Sequence, residues 1–294
     1  MRSYHGLKFA EWLRLLRWWI TYLGPPRDVT VETFNGLLTF SSRTWLIGKY
    51  LYVKRHHEEH EIRAVGDLLI EQGWLDNSPA GRTVVNVGAN IGMTCIGLIK
   101  SGYFDQALAF EPEPENFRLL MKNIDQNDLK GRIQAFRLAL SSTSGELTFE
   151  LSEDNPGDHR VRQLDQTTTG FYREEKRCTI AVTGETLDHF FEGRSERVNA
   201  IWVDIQGHEG HFFRGAQAVL KNGIPVVTEF WPYGFSRAGT TREDLVAILS
   251  PLFSHFWVIG NDQFRRCPIR QIAQLFDVYC GPRSFGLVLL EPPR

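Results

Sequence analysis

Along the chain, short apolar runs alternate with longer segments whose apolar positions recur every three or four residues. Thr83 to Val87, Ala107 to Phe110, Ile133 to Leu138, Ile201 to Val203 and Val226 to Thr228 are too short for helices and predict strands. Between most of them the spacing predicts helices, around Met93 to Lys100, Pro114 to Asn127 and Gly210 to Asn222. Strands this uniformly apolar are buried on both faces, so the alternation implies an α/β domain: a mostly parallel sheet with helices on both sides. A helix from about Thr241 to Leu252, the strand FWVIG and a last strand from Phe285 to Leu290 complete a domain placed at residues 79–294. Gly145 to Thr183 breaks the rhythm. There LTFEL and CTIAV flank a polar stretch, which predicts a hairpin-like insertion around 145–183, placed near or over a site.

Residues 1–78 follow another pattern and read as an N-terminal extension. Leu7 to Leu23 is the most apolar stretch, yet Lys8, Glu11, Arg14 and Arg17 interrupt it and Gly24-Pro25-Pro26 ends it. A bilayer span needs about 20 predominantly apolar residues, and a secretory signal needs an uninterrupted apolar core before a cleavage site; neither is met. The spacing instead predicts an amphipathic helix whose apolar face carries Trp12, Trp18 and Trp19. That face packs on its own domain, pairs with a second subunit, or lies on a membrane surface. From Val29 to Val53, alternating runs broken at Asn35-Gly36 and Ser41-Ser42 predict short strands and a hairpin. His56, His57 and His60 with Glu58, Glu59 and Glu61 open a helix toward Gly73, and such a run reads as a solvated face, not a metal site.

Composition narrows the classes. The 294 residues are 42% hydrophobic and 23% charged, which excludes disorder and coiled coil. Lys and Arg total 33 against 35 Asp and Glu, for a net charge of −2, so nucleic acid is not an expected partner. Four cysteines without a C-x-x-C pair read as reduced thiols in a cytoplasmic protein and make no zinc site.

The strongest local signal is TVVNVGANIG, where a strand runs into Gly88 and a helix begins after Gly92. A glycine-bearing turn beyond the first strand of an open α/β sheet is where such folds bind ligands. It lets a ligand approach the backbone, and the helix N-terminus offers free N–H groups. The spacing lacks the G-x-G-x-x-G of dinucleotide sites and the Lys-Ser/Thr of nucleotide-triphosphate loops. Glu111 ends the next strand, where a carboxylate can accept two hydrogen bonds from ribose hydroxyls. Together these favour an adenosyl ligand.

VVNVGANIG, AFEPEPENFRLLMKNI, ALSSTSGELTF, TLDHFF and IWVDIQGHEGHFFRGAQAVL followed by IPVVTEF, in that order over about Arg82 to Phe230, resemble the FkbM family of S-adenosylmethionine-dependent methyltransferases. The resemblance implies a Rossmann-like seven-stranded core, S-adenosylmethionine as cofactor, and methyl transfer to a hydroxyl oxygen of a sugar, glycan or polyketide-type natural product. It places Asn86, Gly88, Ala89, Asn90 and Gly92 at the methionine part of the cofactor, Glu111 at its ribose, and Ala139, Leu140 and Ser141 near its adenine. Two positions depart from the family pattern: Asn86 stands where Asp is usual, and Gln206 makes D-I-Q-G-H-E of the usual D-V-E-G-x-E. Those departures keep open a non-catalytic module, or a Rossmann-like protein for another adenosyl or nucleotide ligand.

Methyl transfer to oxygen is an in-line displacement that requires alignment and removal of the hydroxyl proton. Asp204, at the end of the fourth strand, is the candidate base, with His208 second. Glu209, Glu229, Trp231 and Tyr233 on the same rim are candidate acceptor contacts, since aromatic faces beside carboxylates suit a sugar or flat ring. Arg160, Arg162 and Arg173 in the insertion would meet an anionic acceptor group. No metal is assigned. The expected location is cytoplasmic, with the first helix available for an inner membrane surface or a homo-oligomer.

Overall fold

A computed structural model describes residues 8–76, 78, 80–153, 155–162, 170–260 and 264–294. The extension comprises α1 (Phe9–Leu23), β1 (Asp28–Thr33), β2 (Gly36–Ser41), α2 (Leu46–Lys54) and α3 (Glu59–Glu71). Next come β3 (Thr83–Val87), α4 (Met93–Lys100), β4 (Gln106–Phe110), α5 (Pro114–Gln126) and β5 (Ile133–Phe136). The insertion region holds β6 (Ala139–Leu140), β7 (Gly145–Glu150), β8 (Arg160–Val161) and β9 (Thr179–Glu185). Then follow α6 (Leu187–Phe190), β10 (Val198–Val203), α7 (Glu209–Arg214), α8 (Gln217–Leu220), β11 (Val226–Phe230), α9 (Pro232–Arg237) and α10 (Arg242–Leu249). The chain closes with β12 (His255–Ile259), β13 (Phe264–Pro268), α11 (Leu275–Val278) and β14 (Gly286–Glu291).

The main sheet has the order β13-β12-β14-β11-β10-β3-β4-β5. Strands β5, β4, β3, β10 and β11 pair parallel, while β14 runs antiparallel between β11 and β12. Side chains alternate across it. Val84, Trp202 and Val227 join one core, whereas Val85, Val87, Ile201 and Val203 join the other. From β3 the chain goes to β4 and β5 on one side and later returns to β10 on the other, so a crevice opens at the carboxyl ends of β3 and β10.

Several expectations change. The sheet has eight strands, not seven: β13 adds to the edge beside β12, and its charged exposed residues, Arg265 and Arg266, hide its alternation while suiting an edge. The insertion is more than a hairpin, because β6, β9, β7 and β8 form a second sheet. The helix expected from Gly210 to Asn222 is two helices broken at Gly215, where a Cβ would lie 1.9 Å from the carbonyl oxygen of Ser141. The extension shares a core with the sheet: Trp18, Leu38, Phe40 and Ile62 pack in one cluster with Val84, Ile96 and Leu120. Asn123 ties it down, accepting from the Thr39 N–H at 2.7 Å and donating to the carbonyls of Thr39 and Ile91.

Candidate active site

At the switch point β3 and β10 end side by side, and the Asp204 N–H donates to the Val87 carbonyl at 3.0 Å. Gly88 has φ +80°, and a Cβ there would sit 1.9 Å from the Asp204 carbonyl oxygen, so glycine is required for the strand ends to approach. The turn uses its own donors. Gly88 and Ala89 both donate to the Phe110 carbonyl, Asn90 N–H to Glu111 Oε2 at 2.8 Å, Ile91 N–H to Asn90 Oδ1, and Gly92 N–H to the Ala89 carbonyl. The turn's N–H groups from Gly88 to Gly92 are therefore engaged, and the first intrahelical bond of α4 runs from the Ile96 N–H to the Gly92 carbonyl.

Glu111 is buried, and its Oε1 accepts from the Glu113 N–H at 2.9 Å. Burial pushes its carboxyl up to about 7. Each oxygen keeps a second lone pair, so it can brace the turn and still receive ribose hydroxyls. The Pro156 carbonyl of the insertion accepts from both Asn90 Nδ2 and Asn116 Nδ2 at 3.3 Å. Below it lies a cavity of about 40 Å³ lined by Asn90, Ile91, Asn116 and Pro156 with Phe40 and Thr44. Asn86 is buried in β3; its Nδ2 reaches the Trp202 carbonyl at 3.4 Å, and its Oδ1 has no protein partner.

Across the crevice stands a group of carboxylates. Burial and the nearby Glu58 carboxylate raise Asp204 to about 6, against the hydrogen bond from Gln206 and the charge of His57. Glu229 is raised well above the usual range by burial, then by Asp204 and Glu209. Gln206, at φ +56°, lies between them: its Nε2 donates to Asp204 Oδ1 at 2.7 Å and to Glu229 Oε2 at 3.3 Å. Glu209 turns back so that its Oε1 accepts from the Ile205 N–H at 3.0 Å, and burial lifts it to about 8. Gly207, at φ +101°, packs on the Gly234 backbone, where a Cβ would come within 2.4 Å.

His208 leaves this group. Its buried ring meets Ser141 Oγ through Nε2 at 2.9 Å and stacks on His211 at 4.3 Å, and burial lowers its pKa well below the histidine range. Its ring is thus engaged with Ser141 and turned away from the carboxylates. Ser141, Ala139 and Leu140 are buried in and after β6, with Ser141 held by His208. Trp231 and Tyr233 are covered by the insertion. Trp231 donates to the Pro282 carbonyl and lies under Arg160, while the Tyr233 hydroxyl donates to Glu174 and accepts from the Phe171 N–H. Trp231 is thus packed in the wall, while Tyr233 stays half-buried at its edge. Arg160 and Arg162 pair with Glu150, and Arg160 with Asp158, while Nε and Nη1 of Arg160 have no hydrogen-bond partner; Arg173 is exposed.

The carboxylate group also contains residues the sequence placed on a solvated face. Left-handed turns at Arg55 and Glu58 bend the chain inward between α2 and α3. Asn35 then clamps His57, accepting from its N–H and donating to its carbonyl, both at 3.0 Å. Glu58 receives the Thr94 hydroxyl at 3.0 Å, and burial raises it to about 7. His57 Nδ1 lies 3.7 Å from Glu58. Both residues couple electrostatically to Asp204, as does Asp158 of the insertion. The left-handed φ values are the one signal, and in Arg and Glu the sequence does not announce them.

A family model, described as the methyltransferase FkbM domain, matches residues 86–255. The chain belongs to this family. As an FkbM protein it is an S-adenosylmethionine-dependent methyltransferase, which removes the non-catalytic alternative. Its relatives include a hexuronic acid methyltransferase of Haloferax volcanii, 30% identical, over 65% of this chain and 72% of the relative. A methyltransferase of Sordaria araneosa is 27% identical, over 59% and 58%, and a 2-O-methyltransferase of Sinorhizobium fredii is 24% identical, over 50% and 62%. The solved O-methyltransferase of Bacillus cereus with S-adenosylhomocysteine aligns at a TM-score of 0.39 and 12% identity, covering 80% of this chain and 81% of that one.

The FkbM site fits the cofactor by its chemistry. S-adenosylmethionine carries a sulfonium and an ammonium, and Asp204, Glu229, Glu209 and Glu58 are carboxylates whose charged forms burial and mutual repulsion disfavour. A bound cation relieves that penalty. Among the described residues no group of three or more His, Cys, Asp and Glu is set to hold a metal ion.

Proposed function

We propose that this protein transfers a methyl group from S-adenosylmethionine to a hydroxyl oxygen of a neutral sugar or similar polyol. The observation that carries the proposal is the Asp204–Gln206–Glu229 group at the strand ends beside the glycine turn. Glu111 would receive the ribose hydroxyls, the Gly88–Gly92 turn would hold the methionine part, and the Ala139–Ser141 run would flank the adenine side.

The cofactor supplies an electrophilic methyl on a positively charged sulfur. Asp204 does the proton work. Gln206 occupies Oδ1, leaving Oδ2 to accept the acceptor's hydroxyl proton. With a pKa of about 6, Asp204 is ionised at neutral pH yet basic enough to take that proton, while Glu229, whose charged form burial and Asp204 disfavour, faces the same crevice. Glu209 holds the loop that carries Asp204 and Gln206.

Relatives named for hexuronic acid and 2-O methylation support a sugar hydroxyl. Electrostatics favours a neutral one, because the crevice is acidic and Arg160, Arg162 and Arg177 already pair with Glu150 or Asp158. The test is transfer of labelled methyl to a panel of neutral sugars, hexuronates and amines. Labelled methyl on a hydroxyl oxygen of neutral sugars is expected. Transfer confined to hexuronates or to nitrogen, by protein that binds the cofactor, would overturn the proposal.

A further inference from the structure

Helix α1 docks on the protein by a side that buries Leu15, Trp18 and Thr21 and also carries Glu11 and Arg14. Glu11 pairs with Lys54 at 3.1 Å, Arg14 donates to the Val53 carbonyl at 2.9 Å, and Trp18 is wholly buried between them. Trp18 packs against Phe40 and Tyr52, so of the tryptophans expected on one apolar face it alone turns inward. The charges that the sequence arranges as a solvent stripe are thus partly spent on α2, and a second apolar stripe faces outward.

That stripe is continuous. Phe9, Leu13, Leu16, Trp19, Ile20 and Leu23 are all exposed, with Phe9 at 79% and Ile20 and Leu23 at 74%. At about 100° per residue they fall within a sector roughly 120° wide along the whole helix. Its borders are basic. Lys8 lies on one side and Arg17 on the other, both exposed, and Arg27 and Arg43 stand at the carboxyl end, where Arg43 donates to the carbonyls of Tyr22 and Gly24. The acidic residue of the helix, Glu11, faces the protein.

We propose that α1 is an in-plane membrane helix that seats the enzyme on a bilayer containing anionic lipids. Apolar side chains of this width, bordered by cations, match the boundary between acyl chains and acidic headgroups. Two features argue against a second copy of the chain. The stripe is about 22 Å long and about 10 Å wide, far below the roughly 800 Å² per partner of a stable interface. Pairing two copies would also oppose Lys8 and Arg17 of each. No helix of the described residues is long and apolar enough to cross a membrane, so the contact is peripheral.

The test is flotation of the full chain with vesicles of phosphatidylcholine alone and of phosphatidylcholine with phosphatidylglycerol, alongside sedimentation of the free protein. The wild type is expected to float with the anionic vesicles, to be released by high salt, and to sediment as a monomer. Leu16→Glu with Ile20→Glu should abolish flotation. Lys8→Gln with Arg17→Gln, which leaves the apolar stripe intact, should weaken it roughly 30-fold. A wild type that stays off anionic vesicles overturns the proposal, as does flotation indifferent to both pairs of substitutions. A dimer that the glutamate pair dissolves would assign the stripe to a second copy instead.

Discussion

At the scale of single residues, the chemistry turns on Asp204 and the amide that holds it. Asp204→Asn keeps the hydrogen-bonding shape but removes the proton acceptor, so turnover should fall about 10²-fold or more while cofactor affinity measured by calorimetry is retained. Because the base works ionised, kcat/KM should rise with pH through about 6. Gln206 replaces a carboxylate that the family pattern would put between Asp204 and Glu229. Gln206→Glu should therefore move that rise to higher pH, since a third like charge disfavours ionisation of Asp204. A pH–rate profile unchanged by this substitution would remove Gln206 from the account. Gly88, Glu111 and Asp204 were legible as local motifs in chain order. His57 and Glu58 were not, because left-handed turns and a clamp from Asn35 bring them to a residue nearly 150 positions away.

Among elements, the strand ends and the loop before α7 set the geometry. Gly88→Ala would need both a left-handed alanine and room where the Asp204 carbonyl lies, so unfolding should show a loss of at least about 2 kcal/mol. Glu209 makes a pH-dependent contribution of known sign. Its folded pKa, about 8, exceeds its unfolded one, so the stability it supports is present at acid pH and is lost as pH rises toward 8. Glu209→Gln keeps the acceptor for the Ile205 N–H without the charge. Thermal melts of variant and wild type should agree near pH 5 and diverge in favour of the variant by pH 8. The apolar runs gave away the parallel strands because burial on both faces leaves no polar position in them. They concealed β13, whose exposed arginines break the pattern, and β6 and β8, whose two residues each extend the expected hairpin of β7 and β9 into a sheet.

For the whole molecule, the extension and the domain are one structure around the site. The extension supplies core residues such as Trp18 and Phe40, and it supplies His57 and Glu58 to the crevice. The insertion covers the other side, with Pro156 over the glycine turn and its arginines neutralised by Glu150 and Asp158. Sequence order separates these parts by design of the fold, since long-range contacts carry no periodicity to read. The central claim is that S-adenosylmethionine sits on the glycine turn beside the crevice carboxylates and that Asp204 removes a hydroxyl proton. The most direct measurement is single-turnover transfer of labelled methyl from pre-bound cofactor to a neutral sugar, comparing wild type with Asp204→Asn across pH 5 to 9. The account predicts a wild-type rate that rises through about pH 6 and a variant that binds cofactor but lacks this rise, transferring about 10²-fold more slowly above pH 7. Equal transfer by the variant, with the same pH dependence, would contradict it.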